Sequence, residues 1–462
     1  MKEETSTLIS ADPVKQNKAS LLKSKNGIRW INWDILAGSS ALILGFLLSP
    51  YESIDSIKPG FWACVIIFGL ISASVSRLID LPRPGFDFHI SRYDILSTAI
   101  LSVFISTLVF FFIINLLFAY PLKGRYIIIF TGTISYILMC LPRIILTEVS
   151  NRNPMKLAIW GCDDVSKMFI EKTNDSPYFT VTGILSNNKL SFTQHLPVLK
   201  MTDTPEVDCV VLCTEKVPTS EEKKFLINLP MQGVEVMNKG AFIEKYFRVI
   251  SLDYLNLHWL ASFPSLNNDR TALFAKRIFD LAFSSLMIVL TLPFLPLAAI
   301  LIKLDSKGSI FYTQTRVGKH NQPFTIYKLR TMVQNSEENG AQWAKRNDAR
   351  VTNLGRILRR LRIDELPQLW NVLKGEMSMV GPRPERPEFE AGLISKLPLY
   401  ERRHLVSPGI TGWAQIRFKY GSSIEDSKIK LEHDLYYIKH MSFIFDLKVI
   451  MKTVVMVMKG SR

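Results

Sequence analysis

The stretch KRIFDLAFSSLMIVLTLPFLPLAAILIKL, residues 276–304, decides how the last part of the chain folds. It is apolar and long enough to cross a bilayer, but Pro293 and Pro296 interrupt it. Each proline removes a helical hydrogen bond and forces a bend. Basic residues, which are retained on the cytoplasmic side, occur on both flanks: Lys276, Arg277, Lys303, Lys307, Arg316 and Lys319. The pattern predicts a re-entrant membrane helix that breaks at Pro293, although a kinked helix that crosses once fits the residues equally well.

Four further apolar runs precede residue 150, at about 35–49, 61–75, 95–119 and 126–141, near the ~20 residues that a spanning helix needs. Basic residues cluster before the first run, after the second and after the fourth, so both ends of this four-helix unit are expected in the cytoplasm. A chain of 462 residues that is 48% hydrophobic is therefore predicted to be a membrane protein. The prediction comprises a cytoplasmic tail at 1–32 and a four-transmembrane-helix domain at 33–150. No cleavable signal peptide is evident.

The formal net charge is +15, and most of the excess lies after residue 270. Such a charge favours an anionic membrane surface or anionic ligands. Nucleic acid is not expected as a partner, because no helix-turn-helix, zinc-finger spacing or RNP-type aromatic pattern occurs. Five cysteines without CxxC spacing are typical of a reducing cytoplasmic environment.

Short β-rich runs such as KLAIWG and DCVVLCT alternate with helical stretches in residues 155–243. This alternation predicts a doubly wound α/β sheet. A dinucleotide site would need a glycine-rich turn after the first strand, yet that turn reads WGCDDVS. Gly161 stands alone there, and Asp163 and Asp164 would repel a phosphate. We therefore expect a degenerate Rossmann-like domain with a structural or regulatory role, followed by a connector at 244–270 and a last domain at 271–462.

Two adjacent carboxylates, Asp364 and Glu365, lie between a run of arginines and the turn GPRPE. An isolated acidic pair is more often a solvated surface feature than a site. The basic flanks on both sides change that interpretation, because they would place cations around the pair.

The last domain resembles the bacterial polyprenyl-phosphate hexose-1-phosphate transferases, which initiate exopolysaccharide, capsule and O-antigen synthesis. The resemblance rests on the stretches KRIFDLAFS, FYTQTRVGKHNQPFTIYKLRTM, RVTNLGRILRRLRIDELPQLWNVLKGEMSMVGPRPE, PGITGWAQ and LEHDLYYIKHMSFIFDLKVIMKT. They cover nearly all of residues 276–462 in one order. The resemblance implies a mainly α catalytic domain anchored by a re-entrant helix, and the upstream four-helix and α/β units resemble the long form of that family.

The resemblance also implies a reaction, the transfer of a sugar-1-phosphate from a UDP-hexose to undecaprenyl phosphate through a covalent phosphate ester on Asp364. Glu365 would bind Mg²⁺ or position Asp364, and both carboxylates are candidate metal ligands. Arg383 would bind a phosphate. A carboxylate that attacks a phosphate diester faces repulsion between anions, so cations are required around it. Further phosphate-binding candidates are Lys328, Arg330 and Arg359.

Two positions depart from the family pattern, Leu292 before Pro293 and Arg362 before the acidic pair, where serine and a small hydroxyl residue are common. Gln314, Arg316, Gln415 and Asp434 match family positions but are explained as well by packing. The hexose stays open, with glucose and galactose the leading candidates. The expected location is the bacterial inner membrane with the catalytic domain on its cytoplasmic face, and a homodimer is an option.

Two other classes of function could also combine apolar helices with an α/β domain or a polysaccharide role. A membrane-bound NAD-dependent sugar-nucleotide dehydratase would need an intact glycine-rich loop and a Tyr-x-x-x-Lys pair, and the sequence has neither. A non-catalytic scaffold of a polysaccharide assembly complex would tolerate loss of the acidic pair.

Overall fold

The computed structural model divides the chain into two compact units, residues 1–242 and 243–462. The structure describes residues 32–48, 59–78, 92–118, 125–150, 154–161, 166, 169–171, 173, 179–185, 196–199, 207–214, 218–254, 270–334, 348–418 and 423–458. The fold is a mixture of apolar helices, a parallel α/β sheet and a mainly helical last unit.

Four apolar helices open the first unit. They are α1 (Asn32–Leu47), α2 (Pro59–Leu78), α3 (Arg92–Phe118) and α4 (Arg125–Ser150). They coincide with the four apolar runs of the sequence. Within the described residues of these four helices, only the segment Ile129–Leu146 of α4 is long and apolar enough by itself to cross a membrane. A four-helix membrane unit therefore stays a prediction.

A buried ion pair joins three of these helices. Arg143 Nη2 of α4 lies 2.8 Å from Asp34 Oδ1 of α1. The Ser76 hydroxyl of α2 donates to Asp34 Oδ2 at 2.6 Å. The charges of Arg143 and Asp34 thus satisfy each other in the buried interior, as buried charges require.

The predicted parallel sheet is confirmed. Its strands are β1 (Met155–Trp160), β2 (Phe179–Leu185), β3 (Val198–Leu199), β4 (Cys209–Leu212) and β5 (Glu235–Asn238), in the order β3-β2-β1-β4-β5. Helices α5 (Ser220–Asn228) and α6 (Lys239–Phe247) flank β5. Asp163 and Asp164 lie outside the described residues.

Gly161, at the end of β1, has a packing role of its own. Its φ of +113° is a conformation that glycine adopts readily, and a Cβ added there would lie 2.8 Å from the Cβ of Thr214. The close approach of the chain after β1 to the chain after β4 explains this glycine without any bound phosphate.

The second unit begins with a segment that the sequence predicted to be part of a connector. Its Ile250 and Leu252 are buried in a cluster with Leu393, Leu431 and Leu435. The Ile250 N–H donates to the carbonyl of Glu432 at 3.0 Å. The described part of the connector, up to residue 254, is therefore packed into the core of this unit.

The apolar stretch 276–304 forms two helices, α7 (Arg270–Thr291) and α8 (Leu295–Asp305), with a 3₁₀ turn at Leu292–Phe294 between them. Pro293 lies in that turn. Met287 and Ile288 of α7 pack against the main core of the unit, and Ile302 of α8 packs in a second cluster of the same unit. Large apolar side chains on both helices and in the turn between them are exposed, among them Val289, Leu290, Leu292, Phe294, Leu297, Ile300 and Leu304. Thr271–Asp305 is long and apolar enough to cross a membrane, and re-entry stays a prediction.

The rest of the unit is mainly helical, as predicted from the resemblance. Strands β6 (Phe311–Val317) and β7 (Pro323–Leu329) form an antiparallel hairpin, and β8 (Ser378–Val380) pairs in parallel with β9 (Gly409–Thr411). The helices are α9 (Asn353–Arg360), α10 (Leu369–Lys374), α11 (Pro387–Lys396), α12 (Trp413–Arg417), α13 (Ile424–Lys439) and α14 (Phe443–Met458). Their common core contains Val372, Met377, Val380, Trp413, Tyr437 and Val449.

Candidate active site

The acidic pair lies on a short 3₁₀ helix, Ile363–Gln368, that follows α9. Arg362 reverses the chain between the two helices with φ 55° and ψ 22°, a left-handed conformation that is uncommon for arginine. Ile363 packs against the apolar cluster formed by Ala298 and Ile302 of α8 with Leu329 and Leu358. Asp364 and Glu365 are only 8% and 7% exposed, so they are not the solvated surface charges that an isolated pair would suggest.

Glu365 is surrounded by three cations. Its Oε1 lies 2.7 Å from Arg383 Nη2 and 3.7 Å from Lys328 Nζ, and its Oε2 lies 3.3 Å from Arg362 Nη1. Burial alone would raise the pKa of Glu365, but the charges of Arg383, Lys328 and Arg362 outweigh burial and hold this pKa well below its ordinary value. These three cations favour the ionised form of Glu365, and its carboxylate holds them in one cluster.

Asp364 is in the opposite situation. Within the part of the chain that the structure describes, no side chain or backbone group forms a hydrogen bond or an ion pair with its carboxylate. Burial, and after it the charge of Glu365, raises the pKa of Asp364 above its ordinary value. Lys328 and Arg383 act in the other direction without forming an ion pair with it. Asp364 is thus the carboxylate left available to a substrate.

Arg383 lies on the loop after β8, between Pro382 and Pro384. Besides its bond to Glu365, its Nη1 donates to Gln415 Oε1 at 3.0 Å. Arg362 Nη1 donates to the same oxygen at 3.4 Å. Gln415, which was predicted only to match a family position, therefore accepts hydrogen bonds from both arginines and holds their guanidinium groups close together.

Lys328 on β7 has a lowered pKa of about 8, because it is buried and because Arg383 repels its charge, while Glu365 opposes both effects. Arg359 lies on α9, and its Nε donates to the Thr331 hydroxyl at 2.8 Å. Its charge lowers the pKa of Asp364. The candidates Lys328 and Arg359 are thus brought to the acidic pair, as Arg383 is.

Arg330 has a different position from the other candidates. Its Nη2 donates to the Ser306 carbonyl at 2.6 Å and to the Ser306 hydroxyl at 3.0 Å. A Cβ added to Gly308 would lie 2.1 Å from Arg330 Nη1, so the loop after α8 is closed tightly over this guanidinium. These contacts tie β7 to the end of α8.

Arg403 was not among the residues predicted from the sequence. Its guanidinium is buried and donates to Asp434, to the Tyr400 hydroxyl and to the carbonyl of Arg383. Asp434 was the signal that could have pointed to it. This carboxylate lies on the buried face of α13, between Leu431 and Leu435, and a charge in that place requires a buried partner.

The chemistry of the donor groups can be tested against Mg²⁺. Mg²⁺ is commonly held by one or two carboxylates together with substrate phosphates and waters. No group of three or more metal-binding side chains occurs among the described residues. The unpaired carboxylate of Asp364 fits such a sparse site, whereas both oxygens of Glu365 are already paired with cations. Asp364 is the better of the two predicted ligands.

Comparisons with known proteins match the part of the chain that contains the acidic pair. A sequence profile of the family described as bacterial sugar transferase matches residues 271–460. The chain is 41% identical over 240 residues to a UDP-N-acetylgalactosamine-undecaprenyl-phosphate N-acetylgalactosaminephosphotransferase of Aeromonas hydrophila. This match covers 52% of this chain and 56% of that protein. It is 45% identical over 185 residues to an undecaprenyl-phosphate glucose phosphotransferase of Komagataeibacter xylinus, and this match covers 39% of this chain and 35% of that protein.

A third relative is matched over most of its own length. The chain is 42% identical over 181 residues to a UDP-glucose:undecaprenyl-phosphate glucose-1-phosphate transferase of Caulobacter vibrioides. This match covers 39% of this chain and 68% of that protein. The first two relatives are matched over much less, 56% and 35% of their lengths. The segment that matches the family profile contains the acidic pair and the cations around it. The chain therefore belongs to the bacterial sugar transferase family.

Proposed function

We propose that this chain transfers a hexose-1-phosphate from a UDP-hexose to undecaprenyl phosphate and releases UMP, as the first step of exopolysaccharide, capsule or O-antigen synthesis. The names of the three relatives all contain undecaprenyl phosphate, which supports this acceptor. Their sugars are glucose and N-acetylgalactosamine, so the sugar of this chain stays open. One observation carries the proposal, namely that cations bind Glu365 and leave the buried Asp364 carboxylate unpaired.

The proposed reaction has two halves. An oxygen of the Asp364 carboxylate attacks the phosphorus that bears the sugar. A bond between this oxygen and phosphorus forms as the bond to UMP breaks, and UMP leaves with the electron pair. An oxygen of undecaprenyl phosphate then attacks the same phosphorus, which breaks the ester to Asp364 and returns the carboxylate.

The cations around the pair would carry the electrostatic part of catalysis. A diphosphate brings negative charge to a site where an anionic nucleophile must approach it, and Arg383 and Lys328 stand beside that nucleophile. An arginine fork matches phosphate oxygens in a bidentate way. Mg²⁺, held by Asp364 and phosphate oxygens, would neutralise further charge on the diphosphate. Glu365 keeps Arg383 and Lys328 in place in the absence of substrate.

We also propose that α7 and α8 form a re-entrant anchor that places this site at the cytoplasmic face of the inner membrane. Both helices pack on the same unit, α7 through Met287 and α8 through Ile302, while the turn around Pro293 exposes apolar side chains. A polyprenyl phosphate lies with its chain in the membrane and its phosphate at the surface. Ile363, next to Asp364, packs against the cluster that contains Ala298 and Ile302 of α8, which supports a position of the acidic pair near this anchor.

The test uses the Asp364→Asn variant, which keeps the shape of the side chain and removes the nucleophile. The protein purified in detergent and freed of polyprenyl phosphate, with a UDP-hexose labelled in the sugar, should release up to one UMP per wild-type chain before polyprenyl phosphate is added, with the label on a peptide that contains Asp364. The variant should form neither the ester nor lipid product, a loss of at least several orders of magnitude. Asp305→Asn, at an exposed aspartate at the end of α8, is the matched control and should keep activity.

Other outcomes would change the proposal. UMP release that requires lipid phosphate, with no labelled Asp364 peptide, would indicate direct transfer in a ternary complex. Full activity of Asp364→Asn would refute the assigned site. No product from the wild type with any UDP-sugar would favour the scaffold interpretation.

A further inference from the structure

We propose that Arg403 is a positioning residue that fixes Arg383 through the main chain of its loop. The inference rests on the proposed transferase function, in which Arg383 binds a phosphate. Arg403 itself has no contact with Asp364 or Glu365 within the described part of the chain. Its effect on the site would pass through the carbonyl of Arg383.

Three consecutive carbonyls of the loop accept hydrogen bonds from other elements. Arg403 Nη2 donates to the carbonyl of Arg383 at 2.9 Å, and Arg316 Nη1 donates to that of Pro384 at 3.1 Å. The Val317 N–H donates to the carbonyl of Glu385 at 3.0 Å. The prolines on both sides of Arg383 further restrict its backbone, since proline fixes φ and constrains the residue before it.

Arg403 is itself held on its two other nitrogens. Its Nε donates to Asp434 Oδ2 at 2.9 Å, and its Nη1 donates to the Tyr400 hydroxyl at 2.6 Å. Asp434 belongs to α13 and is almost completely buried. Because the guanidinium is planar and rigid, it transmits the position of α13 to the carbonyl of Arg383.

The carbonyl position matters because of where the Arg383 side chain ends. Its two terminal nitrogens bridge Glu365 Oε1 and Gln415 Oε1, at 2.7 Å and 3.0 Å. The guanidinium reaches these acceptors from a loop whose backbone is fixed. Loss of the bond from Arg403 would let the loop move, and a misplacement of about 1 Å near the reacting groups can cost on the order of 100-fold in rate.

A structural role for Arg403 is the competing explanation, and a double-mutant cycle separates the two. Arg403→Lys keeps a cation beside Asp434 but cannot bind three acceptors in a plane. We expect a loss of about 10- to 100-fold in kcat/KM in the full-length chain. Combined with Arg383→Lys, which already lacks the positioned fork, the same change should cost less than about threefold. A purely structural effect would reduce activity by the same factor in both backgrounds.

The controls use neighbouring residues. Arg402 is exposed on the 3₁₀ helix Tyr400–Leu405, which also contains Arg403, so Arg402→Lys should stay within about twofold of the wild type. If Arg403→Lys fails to fold, Tyr400→Phe removes only one anchor of the guanidinium. This variant should give a loss of about three- to tenfold that also disappears in the Arg383→Lys background. Where turnover of Arg383→Lys is too low to measure, the same cycle is read from the Kd of UDP by calorimetry.

The results distinguish the two proposals. Equal losses in both backgrounds, in kcat/KM or in the Kd of UDP, would overturn the positioning role while leaving the transferase proposal intact. A wild type that forms no lipid-linked sugar would instead overturn the proposed function. Activity of Arg403→Lys equal to the wild type would also overturn the positioning role.

Discussion

Replacement of Lys328 by arginine should change the pH dependence of the enzyme more than its activity at neutral pH. Lys328 Nζ lies 3.7 Å from Glu365, and burial lowers its pKa to about 8. If the charged form of Lys328 binds substrate phosphate, kcat/KM should fall above about pH 8, since kcat/KM reports the ionisation of the free enzyme. At pH 9 only about one tenth of the chains would still carry the Lys328 charge, and kcat/KM would fall about tenfold for each further pH unit.

Arginine is not deprotonated in this range, so Lys328→Arg should show a flat profile up to about pH 9.5, with a plateau lowered by the extra volume. Unfolding of the protein on deprotonation of Lys328 does not explain a fall in kcat/KM above pH 8. A lysine whose pKa is lower in the folded state than in the unfolded state adds stability as pH rises from about 8 towards its unfolded value. Lys374→Arg, at a lysine outside the site, should keep the wild-type profile. If kcat/KM of Lys328→Arg falls above about pH 8 as it does in the wild type, Lys328 is not the group that titrates.

Three further outcomes are expected. Glu365→Gln should move the acidic limb of the kcat/KM profile to lower pH, because the charge of Glu365 adds to the effect of burial in raising the pKa of Asp364. The plateau of kcat/KM should fall at least about tenfold, because the cations lose their partner. An acidic limb at the wild-type pH would contradict this prediction. A fragment of residues 271–462 lacks the buried apolar segment before residue 254, so it should unfold more readily than a fragment that starts at 243, by roughly 3 kcal/mol or more in chemical denaturation. Single cysteines at the exposed positions Ala275 and Lys307 should both be labelled from the cytoplasmic side, and labelling of either from the periplasm would show a spanning helix.

Much of the fold could be predicted because it depends on local patterns. The apolar runs became helices α1 to α4, and alternation of β-rich and helical stretches predicted the parallel sheet. The 3₁₀ turn lies where Pro293 interrupts the apolar stretch. In each case the deciding feature is composition or a proline within a few residues, and tertiary contacts only reinforce it.

The packed segment around Ile250 could not be predicted in the same way. Its stretch FRVISLDYL has no sustained helical or alternating period, so it was assigned to the connector. Its order comes from contacts with residues about 140 to 180 positions later, such as the bond from the Ile250 N–H to the Glu432 carbonyl. Pattern within a short window carries no information on such contacts.

The different roles of Asp364 and Glu365 were equally hidden in the sequence, although both residues were expected in the site. The adjacent side chains project about 120° apart on a 3₁₀ helix, so they meet different surroundings. The cations that reach Glu365 come from β7, from the loop after β8 and from Arg362. The family resemblance could assign a nucleophile, but only the folded chain shows which carboxylate the cations bind.

This division of roles also explains the basic flanks of the acidic pair. Lys328, Arg362 and Arg383 together carry three positive charges around the single charge of Glu365, so the cluster stays positive when Asp364 is also ionised. A diphosphate is then attracted to a site that contains two carboxylates. Without Glu365, the three cations would repel one another, which would favour loss of the Lys328 charge and displacement of the two arginines. Glu365 thus keeps the cations together, and it leaves the ionisation of Asp364 as the step that should set the acidic limit of the reaction.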